Sequence, residues 1–372
     1  MATISQINSY IVDIPTIRPH KLSMTSMAVQ SMVIVRIRDS EGREGIGEGT
    51  TIGGLAYGAE SPESIKTNID SYITPLLKGK GTDNPQVVMQ DIHRAIRGNS
   101  IAKSAIETAL LDLLGKTLNV PLSTLLGGAL HSQIPCLWVL ASGDTQRDID
   151  EAKTMIATGR HNTFKLKIGN RSVQDDVAHV AAIKSALGNE ISIRVDVNQA
   201  WTESDANLGM ALLQEAGVDI VEQPTSAGQL DSLVRLADKY RIGVMADESI
   251  SNINDCFELA KRGFSGSVAL KIAKAGGPVQ ALKVATVCQA AGIDLYGGTL
   301  LEGSIGTAAA IHAWSTLPEL QADSEMFGPL LQRDDIVTAP LNYHNFSVDV
   351  PRGPGLGLTL DEDKLKEYAR SY

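Results

Sequence analysis

The chain has 372 residues, of which 43% are hydrophobic, 20% are charged and 4% are aromatic, and its formal net charge is −10. This composition excludes a disordered chain or a membrane protein, and the acidic balance argues against nucleic-acid binding, because proteins that bind nucleic acids are typically basic. The length predicts two to three domains, or one large α/β barrel with a smaller partner.

The first 50 residues predict a small antiparallel sheet. Ile4–Ile14 and Met32–Ile37 are rich in β-branched residues, which favour strands. A turn at residues 39–42 separates the second strand from a third one at Gly45–Glu48.

Helical patterns follow this sheet. Ser61 is a predicted N-cap, and one apolar helix face then recurs every fourth residue, at Ile65, Ile69, Ile73 and Leu77. Two more helices are predicted over Gln86–Ile96 and Ser100–Leu118. We therefore predict an N-terminal α+β capping domain over residues 1–128.

From about residue 134, short apolar strands alternate with helices. The eight predicted strands are Leu137–Ala141, Thr163–Ile168, Ser192–Val197, Ile220–Glu222, Val244–Ala246, Ser267–Lys271, Asp294–Tyr296 and Gln321–Glu325. Repeated βα units indicate a parallel sheet, and eight of them favour a closed (β/α)8 TIM-type barrel over an open sheet. We assign the barrel to residues 129–339 and expect residues 340–372 to return to the capping domain.

Three carboxylates stand at the ends of neighbouring predicted strands. Asp196, Glu222 and Asp247 are separated by about one βα unit each, so they should lie at equivalent heights in the barrel. Carboxylates that converge repel one another unless a cation neutralises them. An all-oxygen set of this kind suits Mg²⁺ or Mn²⁺.

Lysines form the second feature of the predicted strand ends. Lys165 and Lys167 alternate with one apolar residue and therefore point to the same side of the second strand, while Lys271 ends the sixth strand across the barrel. Repulsion within the pair should lower the pKa of one lysine and make it a usable general base.

This constellation resembles the enolase superfamily, and specifically its muconate-lactonizing subgroup, over essentially the whole chain. The resemblance is carried by Lys165–Lys167, Asp196–Asn198, Glu222–Pro224, Asp247–Ser249 and Lys271–Gly277, and by the flanking segments Arg18–Leu22, Thr51–Gly58, Tyr296–Thr299 and Glu302–Thr307. It implies a modified, enolase-like barrel with a capping domain.

The resemblance also implies roles for these residues. Asp196, Glu222 and Asp247 would bind Mn²⁺ or Mg²⁺, Lys167 would donate or accept the proton, and Lys165 would tune it. Lys271 and Glu325 would complete the catalytic set from the opposite side.

The implied reaction converts cis,cis-muconate, a small dicarboxylate, to a lactone. No nucleic-acid or membrane partner is expected, and the resemblance implies a homo-oligomer, an octamer in the family's muconate enzymes. Because the net charge of −10 should not attract a dianion, the site lysines and the metal must do so.

Substrate specificity is expected to come from the capping domain. Loops near residues 18–24 and 50–58 should close over the barrel mouth and bring His20, Ile52 and Tyr57 to the substrate, with Gly53 and Gly54 giving the second loop its freedom. From the barrel, Asn198 and Phe327 are expected to join the substrate-binding residues.

Three alternatives stay open. Chloromuconate cycloisomerase shares the core residues, but in the family pattern it tends to replace the residues at Tyr57 and Phe327. An o-succinylbenzoate synthase or a dipeptide epimerase also shares them, although Asp323–Glu325 does not match the epimerase's Asp-x-Asp. A non-catalytic binding barrel is the alternative from another class, and buried lysines and clustered carboxylates argue against it.

The cysteines and the N-terminal residues bear on the cellular compartment of the protein. Cys136, Cys256 and Cys288 have neither zinc-ligand nor redox spacing, so we expect buried, reduced thiols. Residues 1–15 lack the basic and apolar regions of a signal peptide. The expected compartment is the cytoplasm.

Overall fold

The computed structural model describes residues 2–23 and 25–371. Its N-terminal part starts with a three-stranded antiparallel sheet of β1 (Ile4–Lys21), β2 (Ser26–Asp39) and β3 (Glu44–Thr50). The first two strands are longer than predicted, because their pairing resumes after an irregularity and continues to His20 and Lys21. This extension carries His20 to the barrel mouth, while Met24, in the predicted first loop, lies outside the described residues.

Helices cover one side of this sheet. They are α1 (Pro62–Asn68), a π-helical turn (Ile69–Ile73), α2 (Thr74–Leu77), α3 (Pro85–Ala95), α4 (Ser100–Leu118) and α5 (Leu122–Leu125). An apolar residue every fourth position drifts around an ideal helix of 3.6 residues per turn, and the wider π turn offsets that drift. As a result, Ile65, Ile69, Ile73 and Leu77 are all fully buried.

A curled parallel sheet forms the barrel of this enolase-like (β/α)8 fold, as predicted. After β4 (Gln133–Pro135) its strands follow in chain order: β5 (Trp138–Leu140), β6 (Thr163–Lys167), β7 (Ser192–Asp196), β8 (Ile220–Glu222), β9 (Gly243–Ala246), β10 (Ser267–Leu270) and β11 (Asp294–Gly297).

The surrounding helices are α6 (Thr145–Ala157), α7 (Val173–Leu187), α8 (Glu203–Glu215), α9 (Leu230–Lys239), α10 (Ile253–Lys261), α11 (Ile272–Ala275), α12 (Pro278–Ala290), α13 (Ser304–Trp314) and α14 (Gly328–Leu331).

The eighth barrel position differs from the prediction. Residues 321–325 do not form a regular strand and make two backbone hydrogen bonds to the chain on each side. The Ser324 N–H donates to the Pro135 carbonyl at 2.8 Å, and the Glu325 N–H donates to the Gly297 carbonyl at 2.7 Å. These few bonds close the barrel and hold Glu325 at its mouth.

The C-terminal segment contains β12 (Tyr343–His344), β13 (Ser347–Asp349) and α15 (Glu362–Tyr368). β13 pairs with β4, and the Arg370 N–H donates to the Ile11 carbonyl of β1 at 2.9 Å. The domain limits at residues 128 and 339 stay predictions. Within the described ranges, no helix has both the length and the apolar character needed to cross a membrane.

Candidate active site

A small cavity lies at the carboxyl ends of the barrel strands, beneath the capping sheet. Its walls are formed by His20, Leu22, Ile52, Tyr57, Val139, Lys167, Asn198, Lys271, Thr299, Leu301, Glu325 and Phe327. All five predicted substrate-binding residues are in this set, together with three of the four predicted catalytic residues. The carboxyl end of a barrel is where enzymes of this architecture place their active sites.

The three carboxylates predicted to bind metal lie at adjacent strand ends. Asp196 and Glu222 are direct partners across β7 and β8, and Asp247 follows β9. All three are at most 2% exposed. Buried carboxylates need compensation, and here lysines provide much of it.

Lys165 and Lys167 both point into the barrel, as their alternation predicts. Lys165 lies deeper, where Nζ is 2.7 Å from Glu222 Oε2 and also pairs with Glu325. Lys167 lies at the cavity wall, and its Nζ donates to Asp196 Oδ2 at 2.5 Å. Thus only the second lysine of the pair faces the cavity.

The pKa of Lys165 is shifted in the direction opposite to the one that repulsion between the two lysines would give. Burial lowers its pKa, but the charges of Glu222 and Glu325 outweigh burial and hold the pKa well above its ordinary value. Lys165 is therefore a permanent cation that helps to keep the buried carboxylates in place.

Lys271 occupies the opposite wall, as predicted. Its Nζ donates to Asp247 Oδ2 at 2.6 Å and to the Tyr57 hydroxyl at 3.1 Å, and it lies 4.8 Å from the centre of the Tyr57 ring. The Tyr57 hydroxyl in turn donates to Asp247 at 3.0 Å. The capping loop is thereby tied directly to the charged centre of the barrel.

Sequence reasoning missed Lys274 as a site residue. Its Nζ donates to both the carbonyl and Oδ1 of Asp247 at 2.5 Å. Burial raises the pKa of Asp247, but Lys271 and Lys274 outweigh burial and hold it well below its usual range. The i,i+3 spacing from Lys271, within one helical turn, was the available signal.

His20 is fully buried at the cavity wall. Neither ring nitrogen has a hydrogen-bond partner among the described residues. Burial, Arg18 and Lys167 hold the pKa of His20 well below its ordinary value, so the ring is neutral. An unpartnered neutral imidazole at a cavity wall is available to a polar ligand group.

The remaining predicted substrate residues line the cavity from three sides. Ile52 supplies an apolar contact from the capping loop. Asn198 has a left-handed backbone, with φ of +45°, and its amide donates to Asp196 and Glu248. Phe327 is fully buried, with its ring edge-to-face against Trp138 at 5.3 Å.

The chemistry of the three carboxylates suits a divalent cation. Within residues 2–23 and 25–371, no three ligating side chains are already gathered around one point, since each carboxylate is drawn towards a lysine. However, Glu222 Oε1 is buried without a partner in this same range. Burial and the neighbouring Asp196 also raise the pKa of Glu222. An unsatisfied oxygen and mutually repelling carboxylates fit a hard cation.

This arrangement can bind an anion and move a proton. Lys167 and Lys271 face the cavity from opposite walls, so a carboxylate ligand would be attracted between them. Either ammonium group can donate a proton and, once neutral, take one back. The apolar side chains of Leu22, Ile52 and Phe327 exclude water from the same space.

Two family models together match most of the chain. The family model for the mandelate racemase / muconate lactonizing enzyme N-terminal domain matches residues 6–127. The enolase C-terminal domain-like model matches residues 147–364, which is more than half of the chain.

Individual relatives match over nearly the full length. Muconate cycloisomerase 1 of Pseudomonas putida is 51% identical over 369 residues, covering 99% of this chain and 98% of that protein. Chloromuconate cycloisomerase of Pseudomonas putida is 44% identical over 368 residues, covering 99% of each. Among solved structures, the Pseudomonas fluorescens muconate lactonizing enzyme complexed with muconolactone has a TM-score of 0.98 at 51% identity, covering 99% of this chain and 100% of that one.

Proposed function

The chain is an enzyme of the mandelate racemase / muconate lactonizing enzyme family within the enolase superfamily, and from this membership we propose that it converts cis,cis-muconate to muconolactone. The observation that carries the proposal is the cavity at the barrel mouth. His20, Ile52 and Tyr57 of the capping part meet Lys167 and Lys271 of the barrel there. Such a cavity offers cations to a dicarboxylate and apolar walls to its conjugated chain.

Enzymes of the enolase superfamily use a divalent metal, and we propose Mn²⁺ or Mg²⁺ for this chain. Asp196, Glu222 and Asp247 would hold it, since they are buried oxygen donors with an unpartnered oxygen at Glu222. When bound, the cation stabilises negative charge on a substrate carboxylate.

The chain's own groups account for the proton transfer. One carboxylate of muconate adds across the distal double bond and closes the lactone, which leaves enolate-like charge next to the other carboxylate. Lys167, at the cavity wall, delivers a proton to the α-carbon and removes it in the reverse reaction. Lys165 keeps its charge in the deeper network, where it orients Glu222 and Glu325.

Lys271 and Glu325 complete the opposite wall. Lys271 is fixed by Asp247 and Tyr57, and we propose that its charge binds a substrate carboxylate. Glu325 pairs with Lys165 and borders the cavity next to Phe327. His20 and Asn198 would orient the substrate through their polar atoms.

Two alternative activities have less support from the residues at the cavity. Tyr57 and Phe327, which chloromuconate enzymes tend to replace, both line the cavity, and this favours the unchlorinated substrate. A dipeptide epimerase needs an acidic partner for an ammonium group, but Asp323 instead accepts a hydrogen bond from Thr163 at the start of β6. The Asp323 carboxylate is therefore already hydrogen-bonded at the start of β6, the end of that strand opposite the barrel mouth.

The direct test follows the absorbance of the conjugated diene. Mixing the enzyme with cis,cis-muconate and Mn²⁺ should abolish the ultraviolet absorbance, and proton NMR should identify muconolactone. Parallel assays with 3-chloro-cis,cis-muconate and with a dipeptide separate the alternatives. Muconate left unchanged in the presence of Mn²⁺ or Mg²⁺ would contradict the proposal.

We further propose a cytoplasmic location and a homo-oligomeric, octameric assembly. The three cysteines are buried and form no disulfide, which is compatible with a reducing compartment. Light scattering of the purified enzyme tests the assembly. A monomer at micromolar concentration would contradict that part of the proposal.

A further inference from the structure

Two buried carboxylates of the N-terminal part lie outside the cavity and reach into the barrel. Glu48, in β3, is 3% exposed, and Glu107, in α4, is fully buried. Neither takes part in the lysine network. Each accepts backbone N–H groups at the first turn of a barrel helix, and that helix directly follows a loop of the active site.

Glu48 binds the start of α13. Its Oε1 accepts the Gly303 N–H at 2.7 Å and its Oε2 accepts the Gly306 N–H at 2.8 Å. These are two of the N–H groups that an α-helix leaves without an internal partner, and the positive end of the helix favours a carboxylate there. The Thr50 hydroxyl donates to the same carboxylate at 2.6 Å.

The segment just before α13, residues 298–303, is here called the Thr299 loop. Thr299 and Leu301 line the cavity, and Leu301 has a φ of +64°, which L residues rarely adopt. Such a conformation persists only where surrounding contacts determine it. Gln30 of β2 supplies part of this support, since its amide donates to the carbonyls of Leu300 and Leu301 at 3.2 and 3.1 Å.

Glu107 binds the start of α12 in the same way. Its Oε2 accepts the Val279 N–H at 2.9 Å, while the Gln86 amide holds Oε1 at 3.0 Å. A Cβ on Gly277 would lie 2.0 Å from Glu107 Oε2, so the approach leaves no room for a side chain. The preceding segment, residues 271–277, includes the one-turn helix α11 and is here called the Lys271 loop; it carries both lysines that hold Asp247.

We infer that Glu48 and Glu107 are positioning residues, through which the N-terminal part sets the Thr299 loop and the Lys271 loop for the reaction. The inference rests on the proposed function for its kinetic consequences. Glu48 acts on a cavity wall, so its loss should weaken substrate binding. Glu107 acts on the lysines of the charged centre, so its loss should slow turnover.

The test compares Glu48→Gln and Glu107→Gln with a matched control, Glu60→Gln. Glu60 is also a buried carboxylate at a helix start, but its partners Ser100, Ile101 and Ala102 all lie on α4. Glutamine keeps the shape but loses one acceptor oxygen. We expect about a tenfold rise in KM for Glu48→Gln and about a tenfold fall in kcat for Glu107→Gln, roughly the effect of one lost hydrogen bond. Glu60→Gln should leave both constants within about twofold.

Hydrogen–deuterium exchange measured by mass spectrometry gives a readout independent of activity. Glu48→Gln should accelerate exchange at residues 298–306, and Glu107→Gln should do so at residues 272–280. If muconate is not the substrate, the proposed function fails, but the exchange rates still show whether Glu48 and Glu107 position the two loops. If Glu48→Gln does not fold, Gln30→Ala should accelerate exchange in the Thr299 loop. Unchanged exchange there, or kinetic constants that match Glu60→Gln, would overturn the inference.

Discussion

Two sets of buried carboxylates in this enzyme differ in what neutralises them. The inner carboxylates, Asp196, Glu222 and Asp247, face lysine ammonium groups inside the barrel. The outer carboxylates, Glu48 and Glu107, have neutral partners, mainly the backbone N–H groups of helix starts. Both sets are removed from water, so they can be compared by the groups that surround them.

The pKa values follow the partners. Burial raises the pKa of Asp196, but Lys167 and Lys165 outweigh burial and keep that pKa below its ordinary value. Glu222 is the exception in the inner set, because burial and the charge of Asp196 outweigh its one lysine partner and raise its pKa to about 8. For Glu48 and Glu107, burial raises the pKa to about 7, and hydrogen bonds from neutral donors only partly oppose it. Neutral dipoles thus position a carboxylate, whereas two ammonium groups, as at Asp196 and Asp247, also keep it charged. The inner set is suited to chemistry and the outer set to geometry.

Glu222→Gln tests the inner set most severely. Glu222 pairs with Lys165 and also has an oxygen without a partner in the described chain. We expect turnover below detection and loss of bound Mn²⁺, with the circular dichroism spectrum unchanged. Metal content by mass spectrometry and the muconate assay measure both effects. A variant that retains metal and a near-normal rate would contradict the three-carboxylate site.

Lys167→Ala tests the proton transfer. A positioned acid–base group contributes about 10²–10⁴ in kcat, so a loss of that size is expected with metal binding retained. Lys153→Ala, at an exposed site on α6, is the control and should behave like the wild type. Exchange of the muconolactone α-proton with deuterated solvent identifies the base. Exchange at the wild-type rate in Lys167→Ala would transfer the role to Lys271 on the opposite wall.

The inner carboxylates and their strands could be predicted because two patterns are visible in the sequence: the alternation of residues along a strand and the regular spacing between strand ends. Strands that end in polar residues one βα unit apart bring Asp196 and Glu222 together, and alternation turns Lys165 and Lys167 to one side. The resemblance then added Glu325 and Phe327, both of which border the cavity. Their roles in the reaction stay predictions.

Other features depend on long-range contacts that no local pattern records. The eighth barrel segment is held by a few backbone hydrogen bonds rather than by regular strand pairing, so the rhythm of the βα units predicted a strand that does not form. Glu48 looked like an ordinary strand residue, although it binds groups more than 250 residues away in the chain. The spacing of Lys274 from Lys271 could be seen, but it did not show that Lys274 binds Asp247, which comes from another βα unit.

The pH dependence of stability tests the outer set. A rise in the pKa of Glu48 from 4.5 to about 7 corresponds to roughly 3 kcal/mol. Because the folded-state pKa is raised, this stabilisation is complete below about pH 4.5 and is lost as the pH rises through about 7.

Glu48→Gln cannot ionise, so its stability relative to the wild type should improve by up to about 3 kcal/mol from pH 4.5 to pH 8. Urea unfolding at several pH values measures this difference. The charge of Glu302 also raises the pKa of Glu48, and the pKa of Glu302 is itself raised, mainly by burial, so Glu302→Gln should show the same trend. If the stability of the wild type and of Glu48→Gln depends on pH in the same way, the pKa of Glu48 is not raised, and the contrast between inner and outer carboxylates fails.

Phe327→Ile gives the smallest expected effect, because it changes the shape of the cavity and leaves both carboxylate sets intact. The Phe327 ring packs against Trp138 and borders the cavity beside Glu325. Replacing the ring makes room for a chlorine, and a pocket change of this size shifts discrimination by about 1–3 kcal/mol. We expect the chloromuconate-to-muconate ratio of kcat/KM to rise about tenfold, towards the lower end of that range. Phe264→Ile, at a buried site away from the cavity, controls for general loosening of the core and should leave the ratio unchanged. If Phe327→Ile and Phe264→Ile have the same chloromuconate-to-muconate ratio of kcat/KM, discrimination against chlorine depends on the charged centre rather than on the apolar wall. The inner carboxylates and their lysines would then set substrate specificity as well as the chemistry.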